Sequence, residues 1–245
     1  MKKIFYYELR RVLFSWLFPA MLVVNGMYAW YVLTTEIITG IAHTAPFSVW
    51  SYCAYMGKAL PVGIITVLLL LAGYYGKKQK QAEILLSAAP VTPAQHLIIR
   101  SLVLGVCFLL ICAVIMVTAA YFYRSFFRYS DYAVFLLPAC LLMIPCFLFS
   151  LGLGHLLGRL HQGLVFLLAG IIFLVRLAAA DYMWDLFCAG YFSKRPLTLT
   201  PDESGEPGFF MQPAWVAARL LYILLGMGLF FQSVHSTKRK LTEDS

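Results

Sequence analysis

Charge is what this sequence has least of. Asp, Glu, Lys and Arg make up 12% of its 245 residues, with 11 acidic residues in all, against 62% hydrophobic residues and a mean hydropathy of +0.81. That balance excludes an ordinary water-soluble fold, whose interior has no room for so much apolar side chain. A phosphate-cradling G-x-x-x-x-G-K-[ST] loop is also missing, so nucleotide hydrolysis by this chain alone is not expected. Six cysteines are present but no C-x-x-C, which removes the strongest sequence sign of metal or redox chemistry. Cys107, Cys112, Cys140 and Cys146 fall in apolar runs, where a thiol behaves as a small hydrophobe; Cys53 and Cys188 fall on the outer side, where they could in principle pair, though nothing in their spacing supports it. His155 and His161 stand six apart rather than the four that would put two metal ligands on one helical face. Ser150 and His155 lack a G-x-S-G frame, leaving an intramembrane hydrolase as a remote alternative that needs its base and nucleophile from different helices. There is no internal repeat and no low-complexity tract.

What the chain does have is long apolar runs. Crossing the roughly 30 Å hydrocarbon core takes about 20 mostly apolar residues as helix, because only a helix satisfies its own backbone groups in lipid. Six runs qualify, at about 14–33, 59–76, 101–123, 133–157, 163–180 and 215–234. They predict an all-α integral membrane protein with six transmembrane helices, forming one membrane domain over 1–245. Twelve of the 19 basic residues fall on one side if the first span begins inside, and five on the other. The excess of Lys and Arg on cytoplasmic loops therefore places both termini in the cytoplasm. The net charge of +8 follows from that topology and from attraction to anionic lipid headgroups, with no call for a nucleic-acid partner. The first apolar run outlasts a signal-peptide core and lacks an A-x-A-like end, so it is expected to stay as a span.

Residues 2–16 predict an interfacial amphipathic helix, with Ile4, Phe5, Leu9, Val12, Leu13 and Trp16 on one half of the wheel and Lys3, Tyr6, Tyr7, Arg10 and Arg11 on the other. Glu8 lies in the apolar arc. It either pairs with Arg11 one turn on or contacts a partner or the cytoplasmic loop. Phe47, Trp50, Tyr52 and Tyr55 suit a short helix lying on the outer surface. Residues 181–214 predict an outer loop with a short helix, since Pro196, Pro201, Pro207 and Pro213 exclude long regular structure. The fourth run carries Pro138 and Pro145 and ends in Ser150, Gly154 and Gly158, a small-residue stripe that admits a close neighbouring helix.

Polar residues inside apolar runs are candidates for a path or gate. Asn25 is the most polar residue deep in the first run, suited to an interhelical hydrogen bond or a substrate contact. Arg176 and Arg219 lie near the outer boundary with Asp181 and Asp185 nearby in sequence. They are placed to snorkel, to pair with Asp181, or to form a polar outer gate that grips an anionic group.

The most distinctive feature is the polar island 77–100, KKQKQAEILLSAAPVTPAQHLIIR, between the second and third runs. Ala82, Leu85, Leu86 and Ala89 recur at helical spacing, and Pro90 ends that helix. Thr92-Pro93-Ala94-Gln95 then predicts a new start: Thr92 as N-cap, proline at the first helical position, and Gln95 completing a capping box. The pattern Glu83, Leu85, Leu86, Pro90, Val91, Thr92 resembles the coupling loop of the type-2 permease family of ABC transporters. FYYELRRVLFSW at the N-terminus resembles that family's interfacial helix.

The resemblance implies a membrane subunit whose work comes from a separate ABC-type ATP-binding subunit, in two copies, which binds ATP and Mg; no cofactor is expected in this chain. It implies that the helix from Glu83 to Ala89 docks in a cleft of that ATPase, with Leu85 and Leu86 as apolar anchors, Glu83 as a polar contact, and Pro90 and Thr92 shaping the elbow. It implies a second permease copy, identical or related. It further implies export, across the cell membrane, of a lipid-like, peptide or drug compound. The alternative is a six-span substrate-binding or scaffold protein that does not touch an ATPase.

Overall fold

The computed structural model describes residues 2–76, 93–177, 185–202 and 207–243. Every regular element among them is helical: α1 (Lys2–Leu13), α2 (Leu17–Val32), α3 (Val49–Tyr74), α4 (Pro93–Phe127), α5 (Ala133–Leu160), α6 (Gln162–Leu177), α7 (Ala189–Lys194) and α8 (Pro213–Glu243). A π-helical turn, Leu33–Ile37, continues α2, and a 3-10 turn, Arg195–Thr198, follows α7. Among the described residues five helices are long and apolar enough to cross a membrane: α2 with its π turn, α3, α4, α5 and α8. The protein is accordingly membrane-embedded. α6 is apolar but has only 16 described residues.

α1 ends where Ser15 turns its hydroxyl back to the Val12 carbonyl (2.7 Å). The break leaves Phe14 and Trp16 exposed, residues suited to a headgroup boundary. α3 differs from expectation by starting at Val49. Ser48, in an extended conformation, caps it by accepting the Ser51 N–H (3.1 Å). Trp50, Tyr52 and Tyr55 do not form a separate surface helix; they sit in the first turns of α3, with Phe47 just before its cap. Tyr52 stacks on Phe135 at 4.4 Å, Tyr55 donates to the Ile115 carbonyl (2.8 Å), and Trp50 meets Phe209 edge-on at 4.9 Å. These contacts bury rings that an interfacial helix would expose. Lys58, the charge that interrupts the apolar run, pairs with Glu36 of the π turn, so the helix carries it without breaking.

α3 runs through the middle of the bundle and touches α2, α4, α5, α6 and α7. The most extensive pairing is between α5 and α8. There Gly152 faces the Gly226 carbonyl backbone to backbone, and a Cβ on Gly226 would lie 2.6 Å from the Phe149 nitrogen. The Gly154 and Gly158 stripe faces α3 instead: a Cβ on Gly154 would meet Leu71 at 2.6 Å, and one on Gly158 would strike the Tyr75 ring. Close approach substitutes for a hydrophobic driving force that lipid does not supply.

Candidate functional site

Several of the sequence-derived site residues lie outside the described residues: Glu83, Leu85, Leu86, Ala89, Pro90, Thr92 and Asp181. Arg176 falls in the last turn of α6, and its side chain also lies outside them. The remaining candidates divide among three places.

At the end of the bundle carrying α1, Glu8 is 4% exposed. Its carboxylate sits 2.8 Å from Arg11 Nη2, the predicted pair one turn on. The Arg11 guanidinium lies 5.6 Å from the centre of the Tyr74 ring, and Arg100 lies 5.2 Å from the same ring. Two cations thus share one aromatic ring, an arrangement worth about 0.5–2 kcal/mol per contact depending on desolvation. The buried carboxylate beside them offsets part of their mutual repulsion. α1 is held in this way against the last turn of α3 and the early turns of α4, the two helices that flank the polar island.

One helical face further round, His155 of α5 is buried between Tyr75 and Ser101. Tyr75 Oη is 2.7 Å from Nδ1, and Ser101 Oγ is 2.8 Å from Nε2 and 2.8 Å from the Leu97 carbonyl. Ser101 has one proton to give, and the carbonyl can only accept. The hydroxyl therefore donates to Leu97, Nε2–H donates to the hydroxyl, and Nδ1 accepts from Tyr75, a tautomer assigned from the network. Ser101 and His155 do come from different helices, as a hydrolase pair would. Yet a hydroxyl whose proton is on a helix carbonyl and which receives an N–H is not poised for proton abstraction by that imidazole. Ser150, the serine considered in the sequence, is buried and has no bond to His155.

At the opposite end, Arg219 is 1% exposed. It donates to the backbone carbonyls of Asp185 and Leu186 and to Cys188 Sγ, with Trp215 and Tyr222 at 5.2 and 5.5 Å from its guanidinium carbon. Cys188 adopts φ +57°, donates to the Asp185 carbonyl (3.1 Å) and accepts from Trp215 Nε1 (3.1 Å). Cys146 of α5 donates to the Leu186 carbonyl (3.1 Å). Gly57 lets this turn sit on α3, since a Cβ there would lie 2.9 Å from Ala189 Cα. Burial pushes the Cys188 thiol up to about 11, outweighing the lowering by Arg219 and by the Trp215 hydrogen bond. Burial likewise raises the Asp185 carboxyl, against backbone N–H groups of Phe187 and Cys188 and the charge of Arg219. Arg219 here staples the turn 185–188 to α8. All six cysteines are free thiols, Cys53 and Cys188 included.

Within the bundle, Asn25 is buried and donates to Thr66 Oγ1 of α3 (2.9 Å) and to the Met21 carbonyl (2.8 Å). This is the interhelical bond, α2 to α3, that the sequence offered as one of two readings. Gly63 lies beside it, and a Cβ there would crowd Ile111 of α4 at 3.0 Å.

Sequence reasoning missed Tyr74, Arg100, Tyr75 and Ser101 as members of polar clusters. Their partners are remote in the chain, and only the bracketing of the island by Tyr75 and Ser101 hinted at a joint role. Among the described residues no group of three or more His, Cys, Asp or Glu is arranged to hold a metal ion. No family model, curated protein or solved structure matches the chain.

Proposed function

We propose that this chain is the membrane-spanning permease subunit of an ATP-driven transporter of the ABC type-2 class, driven by a separate ATP-binding subunit through the island 77–100. The observation that carries the reading is the shared grip of Arg11 and Arg100 on Tyr74. It gathers α1, the end of α3 and the start of α4 at one end of the bundle, and the island connects those last two helices. A partner pushing on the island would meet α1 at the same surface. In this reading α6 counts as the sixth span, both termini face the cytoplasm of the cell membrane, and a second permease copy completes the path. The cargo is an exported lipid-like, peptide or drug compound. ATP and Mg belong to two copies of the ATPase, and Glu83, Leu85 and Leu86 form the docking contacts.

The test is co-purification. The wild-type chain, solubilised in mild detergent, is expected to retain the ATPase encoded with it, and Leu85→Asp and Glu83→Lys are expected to lose it while remaining membrane-inserted. Undiminished retention by both variants would overturn the placement of the docking site.

A further inference from the structure

Tyr75 and Ser101 stand on either side of the island in sequence, and both bond to the two nitrogens of one buried imidazole. We infer that His155 is a positioning residue that clamps both ends of the 76–100 connection to α5 and passes their movement into α5 and α8. The functional half of this inference rests on the coupling reading; the clamp itself does not.

Four features carry it. The ring is 2% exposed, so water is not at hand to replace either bond if one end of the connection shifts. The two bonds have complementary polarity, acceptor toward Tyr75 and donor toward Ser101, so one neutral ring satisfies both at once. Gly158, one turn along α5, leaves the space the Tyr75 ring occupies. On its far side the imidazole packs against Phe230 of α8 at 5.7 Å, and one turn beyond, Arg159 Nη1 donates to the Ser233 carbonyl (2.6 Å). An ordinary core histidine needs two partners of any origin. Here they are the residues that bracket the polar island, and the same α5 turn is tied to α8. Displacement of either end therefore strains a bond to α5, and α5 is locked to α8 at Gly152 and Gly226.

The experiment uses the full chain in lipid nanodiscs, alone and with the co-encoded ATPase, read by amide hydrogen exchange. His155→Phe keeps a ring against Phe230 and removes both bonds. In the chain alone it is expected to speed exchange about tenfold in the last turn of α3 and the first turns of α4 together. His155→Asn, which keeps an acceptor at the δ position, is expected to protect the α3 end only. His155→Gln, which keeps a donor at the ε position, is expected to protect the α4 end only. In the complex, His155→Phe is expected to retain the ATPase and lose the ATP-dependent change in α5 and α8 exchange.

Should His155→Phe destabilise the whole bundle, Tyr75→Phe, which deletes one hydroxyl, reports instead: loosening confined to the α3 end with a diminished ATP response in α5 supports the clamp. Exchange in His155→Phe unchanged at both ends, or an ATP response equal to wild type, overturns the inference. If the wild-type chain itself captures no ATPase, the coupling reading fails, and the exchange pattern in the isolated chain still decides the clamp.

Discussion

Gly152 on α5 and Gly226 on α8 meet with no side chain between them, the missing Cβ of Gly152 pointing straight at the Gly226 carbonyl. Bilayer lipid offers helices no hydrophobic incentive to associate, so such backbone contact is a principal source of their cohesion. Gly226→Val is expected to cost at least ~1–3 kcal/mol, because the obstructing atoms are backbone and have no rotamer to escape into. Gly228→Val, two residues on and facing open space, is expected to stay within about 0.5 kcal/mol. Thermal unfolding of both variants in detergent checks the contrast.

Asn25 and Thr66 are expected to show a favourable interaction in a double-mutant cycle of Asn25→Ala and Thr66→Ala. Polar bonds between membrane helices average about 0.6 kcal/mol and reach ~1.7. A zero coupling energy from reversible unfolding would return Asn25 to the pool of path-lining candidates.

Glu8 sits between the regimes of exposed and buried ion pairs, since its side chain is nearly inaccessible while that of Arg11 is 39% exposed. Reversing the charge in Glu8→Lys sets three cations around Tyr74. The expected cost, about 1–3 kcal/mol, lies above that of exposed pairs and below that of fully buried ones. Protease nicking after Arg10 or Arg11 should then rise while the rest of the bundle remains resistant.

Cys188, with its thiol pushed up to about 11, is overwhelmingly protonated at pH 7.5. Since only the thiolate attacks, its alkylation by maleimide in the folded protein is expected to be more than ~100-fold slower than in the denatured chain. Mass spectrometry of the peptide containing residues 185–194 reads the rate. Comparable rates in the two states would mean that the turn 185–188 is not held by Arg219 as described.

Of the six runs expected from hydropathy, five correspond to helices that are long and apolar enough to span among the described residues, because the cost of unsatisfied backbone in lipid leaves no other conformation for such runs; the run at 163–180 corresponds to the shorter α6. Their limits were less legible. By hydropathy the second run begins at about 59, after Lys58, whose partner Glu36 is 22 positions away and invisible to a sliding window. The aromatic cluster at 47–55 suited an interface by composition, while its true environment depends on Phe135, Ile115 and Phe209. The Gly154 and Gly158 part of the stripe does pack closely against a neighbouring helix, yet the tightest seam runs through Gly152, which lies roughly half a turn around α5 from Ser150 and Gly154. His155 illustrates the same limit at the candidate site. Local spacing argued against a metal, but its hydrogen-bond partners stand 80 and 54 residues away.

The central position of α3 has a further consequence. Within its apolar window 72% of residues are buried by the rest of the chain, against 28% for α2 with its π turn and 22% for α8. A mast walled in so completely has little flank left to lend to cargo or to a second copy. On the permease reading proposed above, any passage between protomers would have to be upholstered by the outlying helices, with α3 as the post at the centre of each copy.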